Sequence, residues 1–109
     1  MKLDDFVKKY TYRVVWSEED QLHIARCLEL SSIAAHGKSA NDALLELEKV
    51  VYETLKWMQE DGEELPKPLS TREFKGKLTL RVPSDMHRKL AIESIEQGVS
   101  INQLILSRL

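Results

Sequence analysis

The sequence predicts an α+β chain in two parts, β-β-β-α followed by β-α-α. Three observations predict it. A run rich in β-branched and aromatic residues, 10–16, and a second strand-like run, 21–27, precede one long segment whose apolar residues recur at threes and fours. A strictly alternating stretch, 77–82, then leads into two helical patterns. Charge divides the same way. The 109 residues sum to a formal net charge of −2, but residues 1–73 carry 10 Lys/Arg and 15 Asp/Glu, and residues 74–109 carry 6 and 3. An acidic front and a basic tail suggest two jobs, and argue against a uniformly basic nucleic-acid binder. The length excludes a TIM barrel or a full dinucleotide-binding fold.

Each element has a local reason. Leu3, Phe6 and Val7 at helical spacing predict a short helix over 3–9. Tyr10 to Trp16 reads as a first strand, Ser17-Glu18-Glu19-Asp20 as a polar turn, and 21–27 as a second, antiparallel strand. Residues 32–36 supply a third, which Gly37 ends. Ser39, with Asp42 three positions on, opens a helix over 39–61. Its apolar stripe is Ala40, Ala43, Leu44, Leu47, Val51, Leu55 and Met58, and Gly62 closes it. At ~1.5 Å per residue this helix is about 34 Å long. Trp57 and Met58 are expected to pack near its end. Glu63 to Lys75, with Pro66 and Pro68, has no period and reads as a linker.

In the tail, Lys77 to Val82 alternates polar and apolar, which predicts a strand that Pro83 stops. Ser84 to Gln97 is helical, Gly98 ends it, and Ser100 caps a last helix over Ile101–Leu109. A β-α-α segment this short falls below the size at which a chain normally folds alone. Its single amphipathic strand also lacks a partner. Two copies pairing their strands into an antiparallel ribbon would meet both needs.

The tail resembles the ribbon-helix-helix family of DNA-binding proteins. The matching residues are Leu78-Thr79-Leu80-Arg81-Val82-Pro83, Leu90, and Gly98-Val99-Ser100-Ile101-Asn102. The resemblance implies a two-stranded ribbon in the DNA major groove, with base contacts from Lys77, Thr79 and Arg81. The period of two agrees: if Leu78, Leu80 and Val82 face a core, those three face out together. Arg and Lys suit guanine edges, and Thr suits a thymine methyl. At the second helix Ser100, Ile101 and Asn102 would hold a phosphate.

The front is similar to the HicB antitoxin family. The residues are Val15-Trp16-Ser17-Glu18-Glu19-Asp20, Ala25-Arg26, Glu29-Leu30, His36-Gly37, Ala43-Leu44 and Gly62-Glu63-Glu64-Leu65-Pro66-Lys67-Pro68. The similarity implies a bacterial type II toxin–antitoxin module. Residues 1–68 would form a partial RNase H-like β-β-β-α domain that masks a HicA-type mRNA-cleaving toxin. Residues 69–76 would be a linker, and 77–109 a ribbon-helix-helix domain that forms a homodimer or higher oligomer and represses the operon at operator double-stranded DNA. One departure is Leu28-Glu29-Leu30-Ser31-Ser32, where the family usually has Pro-Glu-Leu-Pro-Gly.

Other chemistries fit poorly. Catalytic residues are expected to be none: a two-metal nuclease needs carboxylates on the central strand, and the first strand offers Thr11, Arg13 and Val15 between aromatics. Gly37-Lys38-Ser39 resembles the end of a phosphate-binding loop, but the required earlier glycine is Ser32. His23, His36 and His87 are scattered and there is one cysteine, Cys27, so no metal or other cofactor and no disulfide is expected. No apolar run approaches a membrane span, and the first residues lack a signal-peptide core, so the expected location is cytoplasmic, on the nucleoid when DNA-bound. Glu60-Asp61-Gly62-Glu63-Glu64 is either a solvated helix end or a lure for a basic toxin, and Ile92 and Ile95 form a small exposed pair. The toxin-contacting residues are not assigned by the sequence. A stand-alone regulator with a ligand-sensing front domain is the alternative reading.

Overall fold

The computed structural model describes residues 2–109, which divide into two compact units that meet between Glu73 and Phe74. The fold is α+β, with one three-stranded antiparallel sheet.

The first unit opens with α1 (Leu3–Lys9), which has Asp4 and Asp5 in its first turn and Lys8 and Lys9 in its last. That arrangement suits the helix dipole at both ends. The sheet follows in the order β1 (Tyr12–Ser17), β2 (Leu22–Cys27), β3 (Leu30–Gly37). Residue pairing places Val14 opposite Ala25 and Tyr12 opposite Cys27, on the face that α2 (Ala40–Glu60) covers. Ala25, Ala35 and Cys27 are small, so the helix can lie close to the sheet. Ala43, Leu47, Val51 and Leu55 fill the space from above, each fully buried. Of the predicted stripe these four are buried, Leu44 and Met58 are half-buried, and Ala40 is exposed at the start of the helix.

On the other face Val15 pairs with Ile24 and Arg13 with Arg26. Val15 and both arginines are exposed, and Ile24 is half-buried. No helix of this unit covers that face.

Local details explain the boundaries. Ser39 Oγ accepts the Asp42 N–H at 3.0 Å, the N-cap bond the sequence suggests. At the far end the Gly62 N–H bonds to the Gln59 carbonyl and the Glu63 N–H to that of Met58, with Gly62 at φ 74°. These paired bonds satisfy the last carbonyls of α2, and only a left-handed residue closes them without strain. Gly37 serves a different need. A Cβ there would lie 2.3 Å from the backbone nitrogen of Ala43, because β3 ends directly against the start of α2. Gly37-Lys38-Ser39 is thus a tight strand-to-helix crossing.

Three expectations are corrected. The first strand begins at Tyr12, because Tyr10 ends α1 and turns its ring into the core. The third starts at Leu30, with a register break: Arg26 pairs with Ala34 but Cys27 with Leu30. That break lies in the loop region where the sequence departs from the family pattern. The segment after α2 is also not a free linker. Leu65 packs on the core, Pro68 is buried, and the chain is tied down as far as Ser70.

The second unit contains α3 (Ser84–Gln97) and α4 (Ile101–Leu106). Pro83 precedes α3, and Gly98, at φ 68°, ends it. Leu104 and Ser94 are its buried residues, and Arg108 pairs with Glu93. The last helix stops three residues earlier than expected, at a Ser107 cap. Residues 77–82 form no strand in the single chain. A strand is defined by ladder hydrogen bonds to a neighbour, and this segment has none within its unit.

Candidate functional site

The expected base-reading side chains, Lys77, Thr79 and Arg81, all lie in solvent. So do the apolar residues between them: Leu78 is 85% exposed, Leu80 62% and Val82 37%. The alternation is therefore not resolved into an inner and an outer face within one copy. Leaving two leucines in water forgoes roughly 1.5–3 kcal/mol of burial for each. The backbone N–H and C=O groups of the segment are open to a partner strand as well.

The expected phosphate clamp sits at the start of α4. Ser100 Oγ accepts the Gln103 N–H at 3.0 Å, and Gln103 Oε1 accepts the Ser100 N–H at 2.9 Å, a reciprocal capping box. The cap satisfies the third amide of the helix and leaves those of Ile101 and Asn102 without intrahelical acceptors. Ser100 thus fixes the direction in which the two amides point, and its hydroxyl hydrogen is still free to donate. Within one chain the ribbon residues and these amides belong to the same unit but form no enclosed site.

Sequence reasoning missed the strap, residues 65–70, by which the segment after α2 is tied to the first unit. Glu29, in the β2–β3 connection, receives hydrogen bonds from four groups: the Thr11 N–H at 2.9 Å, the Thr11 hydroxyl at 3.2 Å, the Leu69 N–H at 2.9 Å and, more weakly, the Cys27 thiol at 3.7 Å. Burial alone would raise its pKa, but the amides of Leu69 and Thr11 outweigh that and hold the carboxyl below its ordinary value. Nearby, the Tyr10 hydroxyl donates to the Pro66 carbonyl at 2.7 Å and Ser70 Oγ to that of Lys9 at 2.6 Å. Burial, helped by Cys27 and Glu29, pushes the Tyr10 phenol up to about 12. The Cys27 thiol is likewise raised, chiefly by burial, which suits a core residue and not a thiolate nucleophile. A family-pattern glutamate was visible in the sequence. Its partners, 18 and 40 residues away, were not.

Trp57 corrects another expectation. Met58 packs against the core, whereas Trp57 is 72% exposed. It closes an open groove along the outer side of α2, lined with Glu46, Lys49, Val50, Glu53 and Thr54. Leu45, half-exposed, and Tyr52 add apolar surface further around the same helix. The signal was present: Trp57 stands two residues beyond Leu55 and falls off the buried stripe.

The turn acids are engaged locally. Glu18 accepts the Trp16 indole N–H at 2.7 Å, and Asp20 accepts the Ser17 hydroxyl at 3.2 Å. Among the described residues no three His, Cys, Asp or Glu side chains cluster as metal ligands, and no helix is long and apolar enough to cross a membrane.

Comparison with known proteins bears on the tail and the strap. Residues 56–109 match the family described as the HicB family. The match takes in the end of α2, the strap and the whole second unit, just under half of the chain, and it supports HicB-type membership. Residues 1–55, which carry most of the front likeness, lie outside it. No curated protein and no solved structure matches the chain.

Proposed function

We propose that this chain is the antitoxin of a HicA/HicB-type pair and a repressor of its own operon. The family match over residues 56–109 carries the reading. The second unit supports the repressor half. Its exposed Leu78, Leu80 and Val82 suit a two-copy ribbon, in which they turn inward and Lys77, Thr79 and Arg81 turn outward together. Each ribbon strand then satisfies the other's backbone, and the ribbon enters the major groove. The Ile101 and Asn102 amides, set by the Ser100 cap, hold flanking phosphates.

The first unit is the toxin-binding half, an RNase H-like core reduced to three strands and a helix. It acts by covering the toxin's RNA site and contributes no chemistry. The acids of an RNase H-type metal site have no counterpart on β1, and Glu29 is committed to Thr11 and Leu69.

If a small basic reading frame lies beside this gene, co-expression with its product tests the reading. Co-purification and rescue of growth are expected; the absence of both overturns the antitoxin role. On the DNA side, Arg81→Ala is expected to weaken operator binding by roughly 1–3 kcal/mol in a protein that still dimerises. Unchanged operator affinity in that variant rejects the base-contact assignment. Operator affinity is also expected to fall steeply with salt.

A further inference from the structure

We propose that Trp57, between Glu53 and Glu60 on the outer side of α2, is the seat for an arginine of the basic protein partner. This inference rests on the antitoxin reading and names the surface that reading leaves open. A tryptophan 72% exposed on a regular helix gains little from its own fold. Glu53 lies one turn before it and Glu60 one turn after, so both carboxylates share its side of the helix. Asp61 follows at the helix end. Among the described residues the ion pairs are Lys49–Glu46 and Arg108–Glu93, so these three acids are unpaired. Thr54 and Val50 continue the groove one and two turns back, and the Thr54 hydroxyl donates to the Val50 carbonyl.

An exposed indole face flanked by free carboxylates suits a guanidinium better than any other common side chain. The planar cation stacks on the ring while its N–H fork reaches a carboxylate. The apolar side of Val50 excludes water from one edge, which strengthens both contacts. The same acids disfavour nucleic acid. The open sheet face of this unit bears Arg13 and Arg26 opposite each other and repels a cationic partner. Lys49 and Lys56 lie on the same helix, but Glu46, Glu53, Glu60 and Asp61 outnumber them, so charge selects the α2 side over the sheet side.

The test uses the full chain and the purified product of the adjacent basic frame, titrated by calorimetry. Trp57→Ala is expected to weaken binding at least about 30-fold, as for a central interface anchor. Trp57→Phe, which keeps a ring face, is expected to lose much less. Glu53→Lys with Glu60→Lys is expected to weaken binding to a similar degree and to remove most of its salt dependence. Operator affinity and circular dichroism serve as controls and are expected to match the parent chain. If the parent chain binds and these variants bind equally well, the Trp57 seat is wrong and the antitoxin reading stands. If the parent chain binds no such partner, both fall. If Trp57→Ala changes only the mass of the chain's own oligomer, the surface is a self-contact and the proposal is overturned.

Discussion

Replacing Glu29 with alanine is the most direct probe of how the first unit holds its own C-terminal strap. The carboxylate accepts two amide hydrogens and one hydroxyl from segments 18 and 40 residues away. A hydrogen bond to a charged acceptor contributes about 1.5–3 kcal/mol. Glu29 is only half-buried, so water replaces part of what is lost. The combined cost of Glu29→Ala is therefore about 2–4 kcal/mol, concentrated in local opening of residues 65–70. At ~1.4 kcal/mol per tenfold, the Leu69 amide is expected to exchange roughly 30- to 1,000-fold faster, up to the limit set by global unfolding. Hydrogen exchange read by NMR at neutral pH measures this residue by residue. The pH dependence has a definite sign. The folded carboxyl has a lowered pKa, so its contribution is complete above the ordinary carboxylate pKa. It is lost as pH falls through the depressed folded value. The strap of the parent chain is thus expected to loosen in acid, and that of Glu29→Ala to show little of this dependence. A Leu69 amide as well protected in the variant as in the parent chain refutes the account.

Two further perturbations address other parts of the chain. Gly37→Ala forces a Cβ into the backbone of Ala43, and a thermal melt of the full chain is expected to show a loss of about 2–4 kcal/mol in the first unit, with α3 and α4 unaffected. Leu80→Lys puts a charge where the proposed ribbon would turn inward; sedimentation is expected to find a monomer with little operator affinity, and a variant that stays dimeric speaks against the paired ribbon.

The sequence made some of this legible and hid the rest for identifiable reasons. Apolar spacing located α2 within a residue at each end, because Ala43, Leu47, Val51 and Leu55 do the packing the period implies. Pro83 and Gly98 bracketed α3, since each constrains the backbone on its own. The alternation at 77–82 showed an amphipathic extended segment, but strand pairing there is not a property of one chain. The strap was invisible because it has no period and is held by side chains distant in sequence: Tyr10, Glu29 and Ser70. Trp57 was misplaced because aromatic content suggested burial, whereas its phase on the helix points outward. For the candidate DNA-facing residues, the sequence supplied identities and parity. In the proposed ribbon their mutual geometry depends on a second copy.

The opposed arginines of the open sheet face have a colloidal consequence. Val15 and Ile24 make a small oily strip in the middle of that face. Arg13 and Arg26 sit directly across from one another, and like charges in that position weaken the sheet by a few tenths of a kcal/mol. That small loss makes the face incompatible with its own copy. Stacking two such faces would crowd four guanidinium groups around the oily strip and strip them of water. If the proposed tail pairing brings two copies of the first unit together, this repulsion disfavours face-to-face stacking of their sheets.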